Sequence, residues 1–250
     1  MKTFLKFLEL EYNLTWKPSV LGAVFGAFFV LHLCSLGGSK AVVSTNYNQT
    51  YILEALAGSL YLPIFLVVII SYIYSKSIAD CISSGLMKSL LSHPIKRDYV
   101  LSAKVVLNFL VLLTACFLPI FYAKIVFSVD SRAVTSVIVT FVLKLLSYSS
   151  LATLLCLIMR EPLLSFAGTL FSLYIVESIT DFFRALRLWE LANIVNLNRL
   201  ALSFYGAFLS RAPLRVLIES GALYTLVLYI SFSVICLILS LIVFRRMDLD

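Results

Sequence analysis

Charge is what this sequence has least of. Only 13% of its 250 residues are Asp, Glu, Lys or Arg, while 61% are hydrophobic and the mean hydropathy is +1.01. Soluble domains carry about 25% charged and about 45–50% apolar residues. So little polar surface cannot cover a water-soluble protein of this size, so lipid is the solvent for much of the chain. Histidine is nearly absent too: His32 and His93 are far apart, and neither has a carboxylate or cysteine at ligand spacing. HExxH, GxSxG and paired-Glu motifs are missing, which argues against an intramembrane hydrolase. No GxxxxGK[ST] phosphate loop exists; Gly37-Gly38-Ser39-Lys40 has the wrong spacing. The five cysteines are scattered, odd in number and without a CxxC pair, so neither a zinc site nor a disulfide framework is indicated. They read as small core hydrophobes. The net charge of +7 comes with no aromatic-interleaved basic patch. It points to membrane loops and headgroups, not to nucleic acid. No internal repeat, low-complexity stretch or cleavable signal peptide is evident.

Long apolar runs are what the sequence does have. A span needs about 20 mostly apolar residues. Six candidates follow: Pro18 to Leu36, Leu56 to Tyr74, Val105 to Phe127, Ala133 to Met159, Leu163 to Thr180, and Glu219 to Phe244. The expected fold is therefore all-α and polytopic, a single transmembrane domain over residues 1–250. The short-loop bias of Lys and Arg predicts cytoplasmic N- and C-termini. Lys2, Lys6, Lys17, Lys76, Lys88, Lys96, Arg97, Lys104, Arg160, Arg245 and Arg246 then lie inside. Residues 1–17 read as an interfacial amphipathic helix with Trp16 as an aromatic anchor. Residues 181–218 are too polar to span and read as short helices dipping into the outer leaflet.

The loop at 75–104 is the most informative. Ile78, Ile82, Leu86 and Leu90 recur every four residues, with Met87 and Leu91 beside them. This is helical periodicity. Lys76, Asp80, Ser83, Ser84 and Lys88 occupy the opposite face, and Pro94 stops the helix. The spacing predicts an amphipathic helix of about four turns at the cytoplasmic surface.

The string from Gly85 to Lys104 resembles the signature of ABC-2 type transporter permeases. Gly85, the paired Leu90-Leu91, Pro94-Ile95, Arg97 and Lys104 fall in that family's register. The ending Phe244-Arg245-Arg246-Met247-Asp248-Leu249 is similar to its short basic, Asp-containing C-terminus. Two features depart from the pattern: Cys81 to Ser84 stand where Glu residues are usual, and Leu86 replaces a Thr. The resemblance implies a multi-pass plasma-membrane subunit of an exporter with no catalytic site or cofactor of its own. ATP and Mg would be bound by a separate ABC ATP-binding subunit. The 75–104 loop would supply a coupling helix docking into that subunit through Ile82, Gly85, Leu86, Leu90, Leu91, Pro94 and Arg97. A second permease copy, identical or similar, would complete the pathway. The other reading is a polytopic protein without an ATPase, such as an immunity factor or assembly scaffold.

Charges inside spans are costly and are usually paired or functional. Lys144 and Glu177 reach similar depth if both spans start from the same surface, which predicts an interhelical pair; snorkelling to the headgroups is the competing expectation. Gly22-x-x-x-Gly26 permits a close helix approach. Asn48-Gln49-Thr50 is a sequon in an expected outer loop.

Overall fold

The computed structural model describes residues 9, 12–13, 15–40, 61–91, 97–127, 129–210 and 212–247. They are 91% helical, with no strand among them. In chain order the helices are α1 (Pro18–Lys40), α2 (Tyr61–Tyr74), α3 (Leu86–Leu91), α4 (Arg97–Phe127), α5 (Ser131–Met159), α6 (Pro162–Ala185), α7 (Trp189–Val195), α8 (Leu197–Leu209), α9 (Pro213–Glu219) and α10 (Ala222–Arg246). Helix α2 runs on through a π-helical turn, Ser75–Ala79, and a final turn, Asp80–Ser83. Five segments are long and apolar enough to cross a membrane: Ile64–Ser83, Arg97–Tyr122, Ser131–Met159, Pro162–Ala185 and Ala222–Arg246. The chain is a multi-pass membrane protein on that ground. Most of residues 1–17, the start of the expected second span and the Asn48 sequon lie outside the described residues.

Local chemistry sets the boundaries. Asp130 caps α5, its Oδ1 accepting from the Arg132 amide at 3.3 Å. The same helix ends where Arg160 turns left-handed at φ 58°, and Pro162 then opens α6 at a position that needs no amide hydrogen. Gly221, at φ 75°, separates α9 from α10, so the last span begins at Ala222 and not at Glu219. The polar segment 181–218 forms the end of α6 and the short helices α7 to α9.

Helix α5 is the hub. It packs against α2, α4, α6, α8 and α10, while α1 leans on α4 and α2. Its buried face is unusually polar: Ser136, Thr140, Lys144, Ser147, Ser149, Ser150 and Thr153 are all covered. Small residues let helices approach closely in lipid, and hydroxyls bond across them. Ser147 Oγ meets Ser233 Oγ of α10 at 3.0 Å, while bonding the Leu143 carbonyl at 2.9 Å. Ser75 Oγ, in the π-turn, donates to the Pro162 carbonyl at 2.5 Å and pins α2 to the start of α6. Gly22 and Gly26 face open space, so the small-residue pair of α1 mediates no close contact among the described residues.

Candidate functional site

One end of the bundle gathers most of the residues that the sequence singles out. The expected four-turn helix over Ile78–Leu91 is not continuous. Ile78 and Ile82 belong to the end of α2, and the chain turns at Ser84-Gly85 before α3 begins at Leu86. Gly85 adopts φ 74°, a left-handed conformation that costs other residues about 1–2 kcal/mol. Its presence explains why the helical period carries across the turn while the helix does not. In α3, Met87 is fully buried, Lys88 and Ser89 are exposed, and Leu86, Leu90 and Leu91 are half-buried. Ile82, Leu90 and Leu91 pack partly on the chain's own core. Pro94 lies outside the described residues.

Arg97 and the C-terminal basic ending meet, although they are 148 residues or more apart. Arg97 Nη1 donates to the Met247 carbonyl at 2.8 Å and the Arg245 carbonyl at 3.4 Å. Carbonyls at a helix C-terminus lack intrahelical donors and attract cations, so a guanidinium there satisfies both needs. The next residue, Asp98, accepts from Arg245 Nε at 2.9 Å and Nη2 at 2.5 Å. This is a bidentate fork, and it places an acid in the first turn of α4, where the helix dipole favours it. Arg97 therefore contacts the chain's own last helix. Lys104, read from sequence as a loop cation, is 1% exposed, with Nζ 3.4 Å from Cys81 Sγ of α2.

Trp16 is also at this end, but not as an interfacial anchor. It is 1% exposed, and its indole Nε1 donates to Asn108 Oδ1 at 3.0 Å. The signal for this contact was the lone amide Asn108 inside an apolar run, because an amide in lipid requires a partner.

The second candidate lies along α5 and α6, away from that end. Lys144 Nζ and Glu177 Oε1 form an ion pair, with side-chain exposures of 4% and 17%. The ammonium also sits 5.7 Å from the centre of the Tyr148 ring, within cation–π range. Beside Glu177 is a small polar cavity of about 80 Å³, bordered by Tyr148, Asp181, Asn196 and Tyr229. Tyr229 Oη closes one wall by donating to the Val195 carbonyl at 2.9 Å. The arrangement offers ion pairing and hydrogen bonding, and no nucleophile–base pair accompanies it. No group of three metal-ligating side chains occurs among the described residues. Compared with known proteins, the chain matches no family model, and no curated protein sequence is significantly similar to it.

Proposed function

We propose that this chain is the membrane-spanning permease subunit of an ABC-2 type transporter, an exporter in the plasma membrane driven by a separate ATP-binding subunit. The observation that supports this reading most is α3. A short helix is set off from the end of a long apolar helix by a left-handed glycine, at the end of the bundle where Lys17, Lys76, Arg97, Arg160 and Arg245 gather. That is where a coupling helix belongs on a permease, and Gly85 is the residue with which the resembling string begins. Helix α1, at 23 residues, is about 34 Å long and adequate for a sixth span. Six spans leave both termini on one side, and the cations clustered at that end make it the cytoplasmic side. An α3 docked in a groove would transmit nucleotide-driven closure into α2 and α4. Two such chains would enclose the pathway.

The reading without an ATPase has one observation in its favour. Met87 is buried, and Leu90 and Leu91 already lean on the chain's own core. Less of α3 is then available to a partner than its sequence period suggests. Affinity purification of the tagged chain in mild detergent, beside Leu86→Asp and Lys88→Glu variants, separates the two. Copurification of an ATP-binding subunit, lost in folded variants, supports the transporter. A functional, intact chain with no ATPase attached at any detergent strength removes it.

A further inference from the structure

Two cavities open at the charged end of the bundle and share a wall. The first, of about 400 Å³, lies between the segment preceding α1 and the end of α2; Trp16, Lys17, Tyr72 and Lys76 border it. The second, of about 340 Å³, lies on the other side of Tyr72 and Lys76, against Leu163 and Phe166 of α6. Both fall within the range of ligand sites, about 300–1,000 Å³. Their linings differ in degree. Lys17, Lys76 and Asp80 border the first beside apolar Val20, Ile73 and Leu86, whereas in the second Tyr72, Pro162, Leu163 and Phe166 form most of the wall, with Lys76 and Asp80 at the shared side. Leu163 is 73% exposed and Tyr72 51%, so the apolar compartment opens sideways at the level where α6 begins. A compartment that carries both lysines beside a more apolar one, at the end of membrane helices, has the shape of an amphiphile.

The charges select the head. Asp80 borders both cavities and accepts from Lys76 Nζ at 2.7 Å, which uses one of three ammonium donors. Lys17 adds a second full positive charge and is exposed to the cavity mouth. The three groups sum to +1, so an anion is favoured and a cation is not. Basic pockets between helices at the membrane surface suit anionic lipid heads. We infer that this paired cavity binds one anionic phospholipid, its phosphate between Lys17 and Lys76 and an acyl chain along Tyr72, Leu163 and Phe166. The site abuts the π-turn Ser75–Ala79 and the Ser84-Gly85 turn that carries α3. Occupancy would therefore bear on the position of α3, whatever α3 contacts.

Native mass spectrometry of the purified full chain tests this, with phosphatidylglycerol and phosphatidylcholine added in parallel and inorganic phosphate in a third arm. The expected result is preferential retention of one phosphatidylglycerol. Two surface lysines supply most of that preference, so Lys17→Gln/Lys76→Gln lowers it about tenfold. Lys17→Arg/Lys76→Arg retains it, and Asp80→Asn strengthens it. Equal retention of the two lipids overturns the proposal. So does an unchanged preference in the Gln variant, or protection against heating by inorganic phosphate equal to that given by phosphatidylglycerol. If the Gln variant fails to fold, the Asp80→Asn arm still decides: no gain there counts against the site.

Discussion

Lys144 and Glu177 join α5 to α6 inside the bundle, with 4% and 17% of their side chains exposed, whereas Asp98 and Arg245 join α4 to α10 at its edge, 33% and 63% exposed. Both are single acid–base contacts between helices, consecutive ones in the first case and helices at distant points of the chain in the second. Their solvents differ. At the edge, water can replace either partner, so the fork fixes geometry more than it stabilises. In the interior, only the small polar cavity beside Glu177 can admit water, and a charge that loses its partner there is left largely stranded. The interior pair is thus weak evidence for stability as a pair and strong evidence against losing either half. Geometry alone ranks them the other way, since the edge contact is the bidentate one.

The largest effect should follow from breaking the interior pair on one side. Glu177→Leu leaves Lys144 charged and alone, at a cost of about 3–5 kcal/mol. Thermal melts in detergent should show it as a large fall in Tm. Lys144→Met/Glu177→Leu should recover most of the loss, because it removes both charges together. A single variant as stable as the parent would show that the pair is not what the interior demands.

A neutral buried contact sharpens the comparison. Trp16→Phe removes the donor to Asn108, whose Nδ2 already has no hydrogen-bond partner among the described residues. Leaving the amide oxygen unmet should cost about 1–3 kcal/mol. Adding Asn108→Leu should return most of it, and a melt series on the two singles and the double reads this directly. Smaller still is the Ser147–Ser233 contact, where both hydroxyls also bond their own helices. A double-alanine cycle should give a coupling near 0.6 kcal/mol. Least of all is Arg245→Gln at the edge. Any fall in Tm should be small and shrink as ionic strength rises, because salt weakens exposed charge pairs. A salt-independent loss would mean that the fork is desolvated when the protein is in its membrane.

Much of the fold was legible in the sequence. The fourth and fifth spans were expected at Ala133–Met159 and Leu163–Thr180, and helices stand at Ser131–Met159 and Pro162–Ala185. Arg160 and Pro162 punctuate that join unmistakably. Less legible were the ends where charge does not stop a helix. The apolar run ends the second span at Tyr74 and leaves Lys76 in the loop, yet α2 runs on to Ser83, because a lysine near a helix end can extend to the surface. Residues 97–104 belong to the expected 75–104 loop, and they are instead the first turns of α4. Period alone could not show that Gly85 divides the amphipathic stretch.

Burial departed furthest from composition. The window of α10 is the most apolar, with a mean hydropathy of 2.8, and only 22% of it is buried. The window of α5 has a mean hydropathy of 1.9 and is 67% buried. A rule that buries the most apolar helix would exchange them. In lipid, apolar side chains gain nothing by facing inward, and it is the serines, Thr140 and Lys144 that must find partners inside.

The sequence by itself therefore determined the class. Apolar runs of spanning length, broken by charge and proline, leave a chain no water-soluble way to fold, and each helix must close its own backbone hydrogen bonds in lipid. Only the tertiary structure decided the longer-range meetings: Arg97 with the Met247 carbonyl, Asp98 with Arg245, Trp16 with Asn108. These contacts join segments 92 to 150 residues apart in the chain. Hydropathy records how deep a residue sits along its own helix and carries nothing about the rotation or neighbour of that helix. Packing sets both.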